Sequence, residues 1–138
     1  MKVQCKQILF SILLSAVIGT VQAEAIVIEG AKAQTIYDEQ KGIAQILVQK
    51  NKVFTLRHQG QEEEKPDEIN VKVGETFFIV NEEDKFIHNV YDLDDESWIL
   101  KKQEPGGIAA IRFEEEGPHA LRCAIHPTMK TLIKVNAE

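Results

Sequence analysis

Cys123, His126 and Met129 are evenly spaced within the stretch CAIHPTM, which places a thiol, an imidazole and a thioether on one short segment. Each can give a lone pair to a soft metal ion. His88, upstream in FIHNV, supplies a second imidazole. Two imidazoles and a thiolate with a weak axial thioether form the donor set of a blue-copper electron-transfer site, because thiolate and thioether suit Cu(I) while imidazole suits both oxidation states. Two other chemistries use parts of the same set. Zinc takes Cys and His, but its structural sites close with further Cys or His and its catalytic sites keep a water, usually without Met. A Cys-His hydrolase would use His88 or His126 to activate Cys123 as a nucleophile, and no Gly-rich oxyanion turn accompanies these residues.

These four residues need elements that bring them together. From Ile43 onward the chain reads as short strands. IAQILVQ and KVFTL are followed by INV and TFFIV around a tight turn at Gly74, then by IHNVYDL, IAAIRF, HALRC and TLIKV. The polar stretches between them read as loops, notably HQGQEEEKPDE at 58–68 and DDESWILKKQEPGG at 94–107. With no long amphipathic helix among them, seven or eight strands at this spacing predict an all-β, antiparallel sandwich or barrel with Greek-key connections. In such a sandwich His88 ends one strand and Cys123 another, and residues 124–129 form the loop before the last strand. Residues 24–42 carry weak patterning and are expected to form a leading strand or short helix covering an edge, ahead of one domain at 43–138. His58 and His119 read as surface residues and are assigned no role.

Composition bounds the partners. Of 138 residues, 43% are hydrophobic and 28% charged, and the formal net charge is −6. Residues 1–23 have the build of an export signal: Lys2 and Lys6, the apolar run ILFSILLSAVIGTV, and VQA before Glu24. That run is shorter than the roughly 20 residues a membrane-spanning helix needs. Removing the signal takes away two lysines and leaves the mature chain more acidic, a poor match for nucleic acid or for anionic lipid. Cys5 leaves with the signal, so Cys123 becomes a lone thiol in an oxidising compartment, and metal ligation would protect it from oxidation and exchange.

At this point the chain resembles a known family, the cupredoxins, and most nearly its amicyanin group. CAIHPTM has that group's Cys, two residues, His-Pro, one residue, Met. VGETFFIVNEEDKFIHNV follows the family's strand, turn and His-Asn-Val segment through Gly74, Asn81, His88, Asn89 and Val90. The resemblance spans about residues 43–136. It departs at Ile125, at Thr128 and in the loop from Tyr91 to Gly107.

The resemblance implies a cupredoxin-like β-sandwich holding one type 1 copper ion. His88, Cys123 and His126 would be its equatorial ligands and Met129 the axial one, with Asn89 pinning the two ligand segments through hydrogen bonds. It implies a periplasmic, monomeric carrier of single electrons that transforms no substrate. Its redox partner would be a c-type cytochrome or a dehydrogenase, docking transiently near Ile87, Ile125 and Pro127. Acid clusters at Glu62, Glu63 and Glu64, at Glu82, Glu83 and Asp84, and across residues 92–96 suit the steering of a basic partner. A copper delivery or buffering protein without redox turnover would use the same ligands.

Overall fold

Two β-sheets stack face to face and bury the side chains of Leu47, Phe54, Ile69, Phe77, Ile79, Val90, Leu100, Ile111, Phe113, Leu121 and Ile133 between them. The computed structural model describes residues 25–137, so the expected signal at 1–23 lies outside the described residues. In chain order the elements are β1 (Ala25–Glu29), α1 (Gly30–Gln40), β2 (Gln45–Lys50), β3 (Val53–His58), β4 (Gln61–Glu64) and β5 (Glu68–Lys72). There follow β6 (Thr76–Asn81), β7 (His88–Asp92), β8 (Ile99–Gln103), β9 (Ile108–Phe113), β10 (Gly117–Cys123) and β11 (Lys130–Asn136). The first sheet has the order β1-β9-β6-β2-β3-β4 and the second β5-β11-β10-β7-β8. No helix among the described residues is long and apolar enough to cross a membrane.

The β-sandwich is the expected fold, with more strands than the seven or eight expected. Residues 25–40 supply both a strand and a helix: β1 pairs with β9 at the edge of the first sheet. Behind it α1 packs on that sheet's outer face, where Ala33, Ile36 and Tyr37 meet Ile46, Val48, Phe78, Val80 and Ala110. This cover explains why β2 and β6 read as continuous apolar runs: both of their faces are buried.

Three loop assignments are corrected. Within 58–68 the chain makes a hairpin, β3 to β4, turning at Gln59 (φ 49°) and Gly60 (φ 77°) with His58 opposite Gln61. Two positive φ values in a two-residue connection define a turn that matches strand twist. The four residues of β4 are exposed, so their polarity concealed an edge strand. Within 94–107, β8 pairs with β7 and buries Leu100 and Gln103 while its lysines face water, and Trp98 just before it is buried too. Gly74 (φ 77°) does not close a hairpin. It carries the chain from one sheet to the other, so β5 lies parallel to β11 and β6 parallel to β2. The strictly antiparallel arrangement expected therefore contains two parallel pairs.

Candidate metal centre

The donors stand on two neighbouring strands and one loop. β7 begins at His88 and β10 ends at Cys123, and the two strands pair antiparallel with Cys123 opposite Val90. Both residues face the core: His88 is fully buried and Cys123 almost so. From Cys123 the chain leaves the sheet in a tight loop, closed by hydrogen bonds from the Met129 N–H to the His126 carbonyl (2.9 Å) and from the Cys123 N–H to the Met129 carbonyl (3.2 Å). That closure brings the partly buried His126 ring back over Cys123.

Three donor atoms then converge. Cys123 Sγ lies 3.6 Å from His88 Nδ1 and 3.9 Å from His126 Nδ1, and the two ring nitrogens are 3.3 Å apart. A point equidistant from all three is about 2.1 Å from each, which matches metal–imidazole bonds of about 2.0–2.1 Å and is slightly short of a metal–thiolate bond of about 2.3 Å. The donor set therefore fits one metal ion. Met129 is buried at the end of the same loop and joins the core cluster that contains Cys123.

The thiol is already biased toward its metal-binding form. Burial pushes it up, but hydrogen bonds from His88, from the backbone at Asn89 and His126, and from the His126 ring together outweigh burial and bring it from 9.0 down to about 6.

The segment before His88 is fixed from behind. Asn81 Nδ2 donates to the carbonyls of Phe86 (2.9 Å) and Gln103 (2.8 Å), and its Oδ1 accepts from the Glu83 N–H (3.0 Å). Buried Gln103 donates to the Ile79 carbonyl (2.8 Å) and accepts from Gln49. Gly107 closes this corner, where an added Cβ would stand 2.9 Å from the Glu104 carbonyl oxygen. Lys52, which with Asn51 makes the positive-φ turn between β2 and β3, reaches the same segment. The Lys52 N–H donates to Glu83 Oε1 (2.7 Å), and the Lys52 ammonium lies 4.4 Å from the centroid of the Phe86 ring. Glu83 in turn stands 3.6 Å from His88 Nε2.

The structure thus gathers His88, Cys123 and His126 and seats Met129 beside them. Asn89 does tie the two segments, through its backbone carbonyl, which accepts from the Ala124 N–H at 2.9 Å; its side-chain Oδ1 is buried without a partner among the described residues. Phe86, Lys52, Gln49 and Gln103 went unnoticed in the sequence, and Glu83 reads there only as a steering charge. For Gln49 a signal existed: it is a polar residue inside a strand otherwise committed to the core. The acid clusters are also not free steering charges throughout. Glu82 is held by the Arg57 guanidinium, which keeps its carboxyl below the usual range, Glu83 is turned inward, and Asp92 and Asp95 are buried. His119 is likewise buried, not at the surface, because Asp92 Oδ2 meets its Nδ1 at 2.5 Å.

The fold is a cupredoxin-like β-sandwich, and His88, Cys123 and His126 form a group in it that could hold a metal ion. Among solved structures, the chain is similar to amicyanin. An oxidized proline-to-alanine variant of amicyanin matches with 20% identity and a TM-score of 0.58, over 83% of this chain and 100% of that one. An oxidized methionine-to-leucine variant matches over the same shares at 20% identity with a TM-score of 0.59. A Cu(I) form of a methionine-to-glutamine variant matches with a TM-score of 0.58. No protein-family model and no curated protein sequence matches the chain.

Proposed function

We propose that this protein belongs with the cupredoxins and carries single electrons through one type 1 copper ion. The convergence of one thiol sulfur and two imidazole nitrogens at metal-binding separations carries this reading. His88, Cys123 and His126 would hold the ion, with the Met129 thioether as a further, weaker ligand. Copper so held would exchange one electron between Cu(I) and Cu(II) and transform no substrate.

The chain's own part is rigidity and access. Buried amides and the Asn51-Lys52 turn fix the His88 segment, and the closed 124–129 loop fixes the rest, so the donors need not rearrange when charge changes. His126 is the donor nearest the surface. Phe86 meets its ring edge-on with centroids 6.0 Å apart, and both Phe86 and Ile125 are exposed beside it, with Pro127. This small apolar rim suits a transient interface with a redox protein such as a c-type cytochrome or a dehydrogenase. Residues 1–23 would export the chain to the periplasm, and the domain at 43–138 would act as a monomer, with β1 and α1 completing its first sheet.

The test is the visible spectrum of the chain from Glu24 onward after one equivalent of Cu(II), followed by ascorbate. An intense thiolate-to-copper band that bleaches and returns on reoxidation is expected. A chain that binds copper without that band would instead buffer or deliver the metal, and one that stays colourless and binds only zinc would overturn the copper reading.

A further inference from the structure

His88 and Cys123 occupy one end of the β7–β10 pair, and the same two strands carry a second group of donors at the other end. Asp92 follows His88 by four residues on β7, and His119 precedes Cys123 by four on β10. An even step keeps a side chain on the same face of a strand, so Asp92 and His119 also point into the core, about 13 Å away at 3.3 Å per residue. Val90 and Leu121 lie between the two groups, both fully buried.

Asp95 completes the second group. Asp92, Asp95 and His119 each bring one donor atom into a set no two of whose members are more than 4.8 Å apart, and all three residues are buried. The carboxylates are oriented from behind. Asp92 Oδ1 accepts from the N–H groups of Asp94 (2.8 Å) and Asp95 (3.2 Å), which leaves Oδ2 for His119 Nδ1. Asp95 Oδ1 accepts from the Ser97 N–H (2.9 Å), and Oδ2 is buried with no hydrogen-bond partner among the described residues. Asp95 is 6% exposed, so this oxygen is a strong acceptor withdrawn from water. The His119 ring is braced by Phe113, with centroids 4.4 Å apart. A cleft of about 200 Å³ opens beside His119, and its walls include Asp94, Glu115 and Glu116, an acidic approach for a cation.

We propose that Asp92, Asp95 and His119 form a second metal site that takes a divalent ion of the zinc class. Two carboxylate oxygens and one imidazole nitrogen suit Zn²⁺, with a water from the cleft as the fourth ligand. Binding at His119 Nδ1 requires the tautomer that carries the ring proton on Nε2. Donors about 2.0–2.2 Å from a tetrahedral ion stand roughly 3.3 Å apart, so the His119 ring must back away from Asp92 by less than 1 Å, roughly, to admit it. The backbone bonds to Asp92 Oδ1 and Asp95 Oδ1 survive that movement and play the supporting part that outer hydrogen bonds play around metal ligands.

Equilibrium dialysis of the full chain against Zn²⁺ tests the proposal, with two variants that separate the sites. The parent is expected to hold two equivalents. Asp95→Asn should hold one, its affinity for the lost equivalent falling at least about tenfold, and the double variant Cys123→Ala/His126→Ala should also hold one. Two equivalents retained by Asp95→Asn, or none held by the double variant, would overturn the second site whatever the fate of the first. Should Asp95→Asn fail to fold, backbone amide spectra of the double variant decide: zinc-induced shifts confined to residues 92–98 and 117–120 support the site, and shifts elsewhere or none reject it.

Discussion

The two ends of the β7–β10 pair share one backbone frame and differ in everything that frame presents. At the His88 end a thiol and two imidazoles converge under a loop that leaves His126 partly open, and the surrounding rim is apolar. At the Asp92 end two carboxylates and one imidazole are buried, and the cleft that His119 borders is walled by acids. Strand pairing supplies the spacing in both cases, while the residue types at the strand ends set softness, charge and access. A carrier needs one donor near the surface, and only the His88 end has it. A buried group of hard donors suits an ion that stays in place.

The largest effect belongs to the soft end. Cys123→Ser removes its thiolate donor, so the thiolate-to-copper band should vanish completely; a band that survives in the visible spectrum would show that Cys123 is not a ligand. Leu121→Ala strikes the frame that both ends share. Leu121 is fully buried, so denaturant unfolding should show a loss of about 2–5 kcal/mol, and a loss below that would mean the frame collapses around the gap. Met129→Gln changes only the proposed weak ligand at the soft end. It should keep the band and lower the reduction potential measured by voltammetry, since an oxygen donor favours Cu(II). The smallest effect lies outside both ends, at the Arg57–Glu82 pair. Glu82→Gln should cost about 0.2–1 kcal/mol at neutral pH. Glu82 has its carboxyl depressed by the Arg57 hydrogen bonds, so this contribution is present above the unfolded value of 4.5 and disappears as pH falls through the lower folded value. Melting temperatures of parent and variant should therefore converge on acidification below pH 4.5; a constant gap would remove the pair from the account.

The soft end was legible in the sequence because its chemistry is local. Cys123, His126 and Met129 share one short loop, and His88 opens a strand whose alternation is clear. The sandwich was legible because TFFIV, IAAIRF and TLIKV read as strands on their own. What escaped depended on partners distant in the chain. The exposed acids of β4 and the lysines of β8 carry no apolar alternation strong enough to mark them as strands, and only pairing with β3 and β7 makes them so. The path through Gly74 was misread because two strands around a glycine look alike whether the turn closes a hairpin or crosses between sheets. His119 looked like a surface residue because its burial depends on Asp92, which comes 27 residues earlier and reads as part of an acidic loop.

The acidic edge of the first sheet has a consequence for how molecules meet. Among the described residues β4 ends that sheet with its outer backbone groups unpaired to any strand, and an open edge is a template on which a second copy can add. Here three of its four residues are Glu62, Glu63 and Glu64, all exposed. Two copies approaching edge to edge would bring these carboxylates against their equivalents, and the repulsion opposes fibril-like stacking most strongly where ionic strength is low. The stretch least like a strand in composition thus keeps a sandwich with an open edge from becoming a building block.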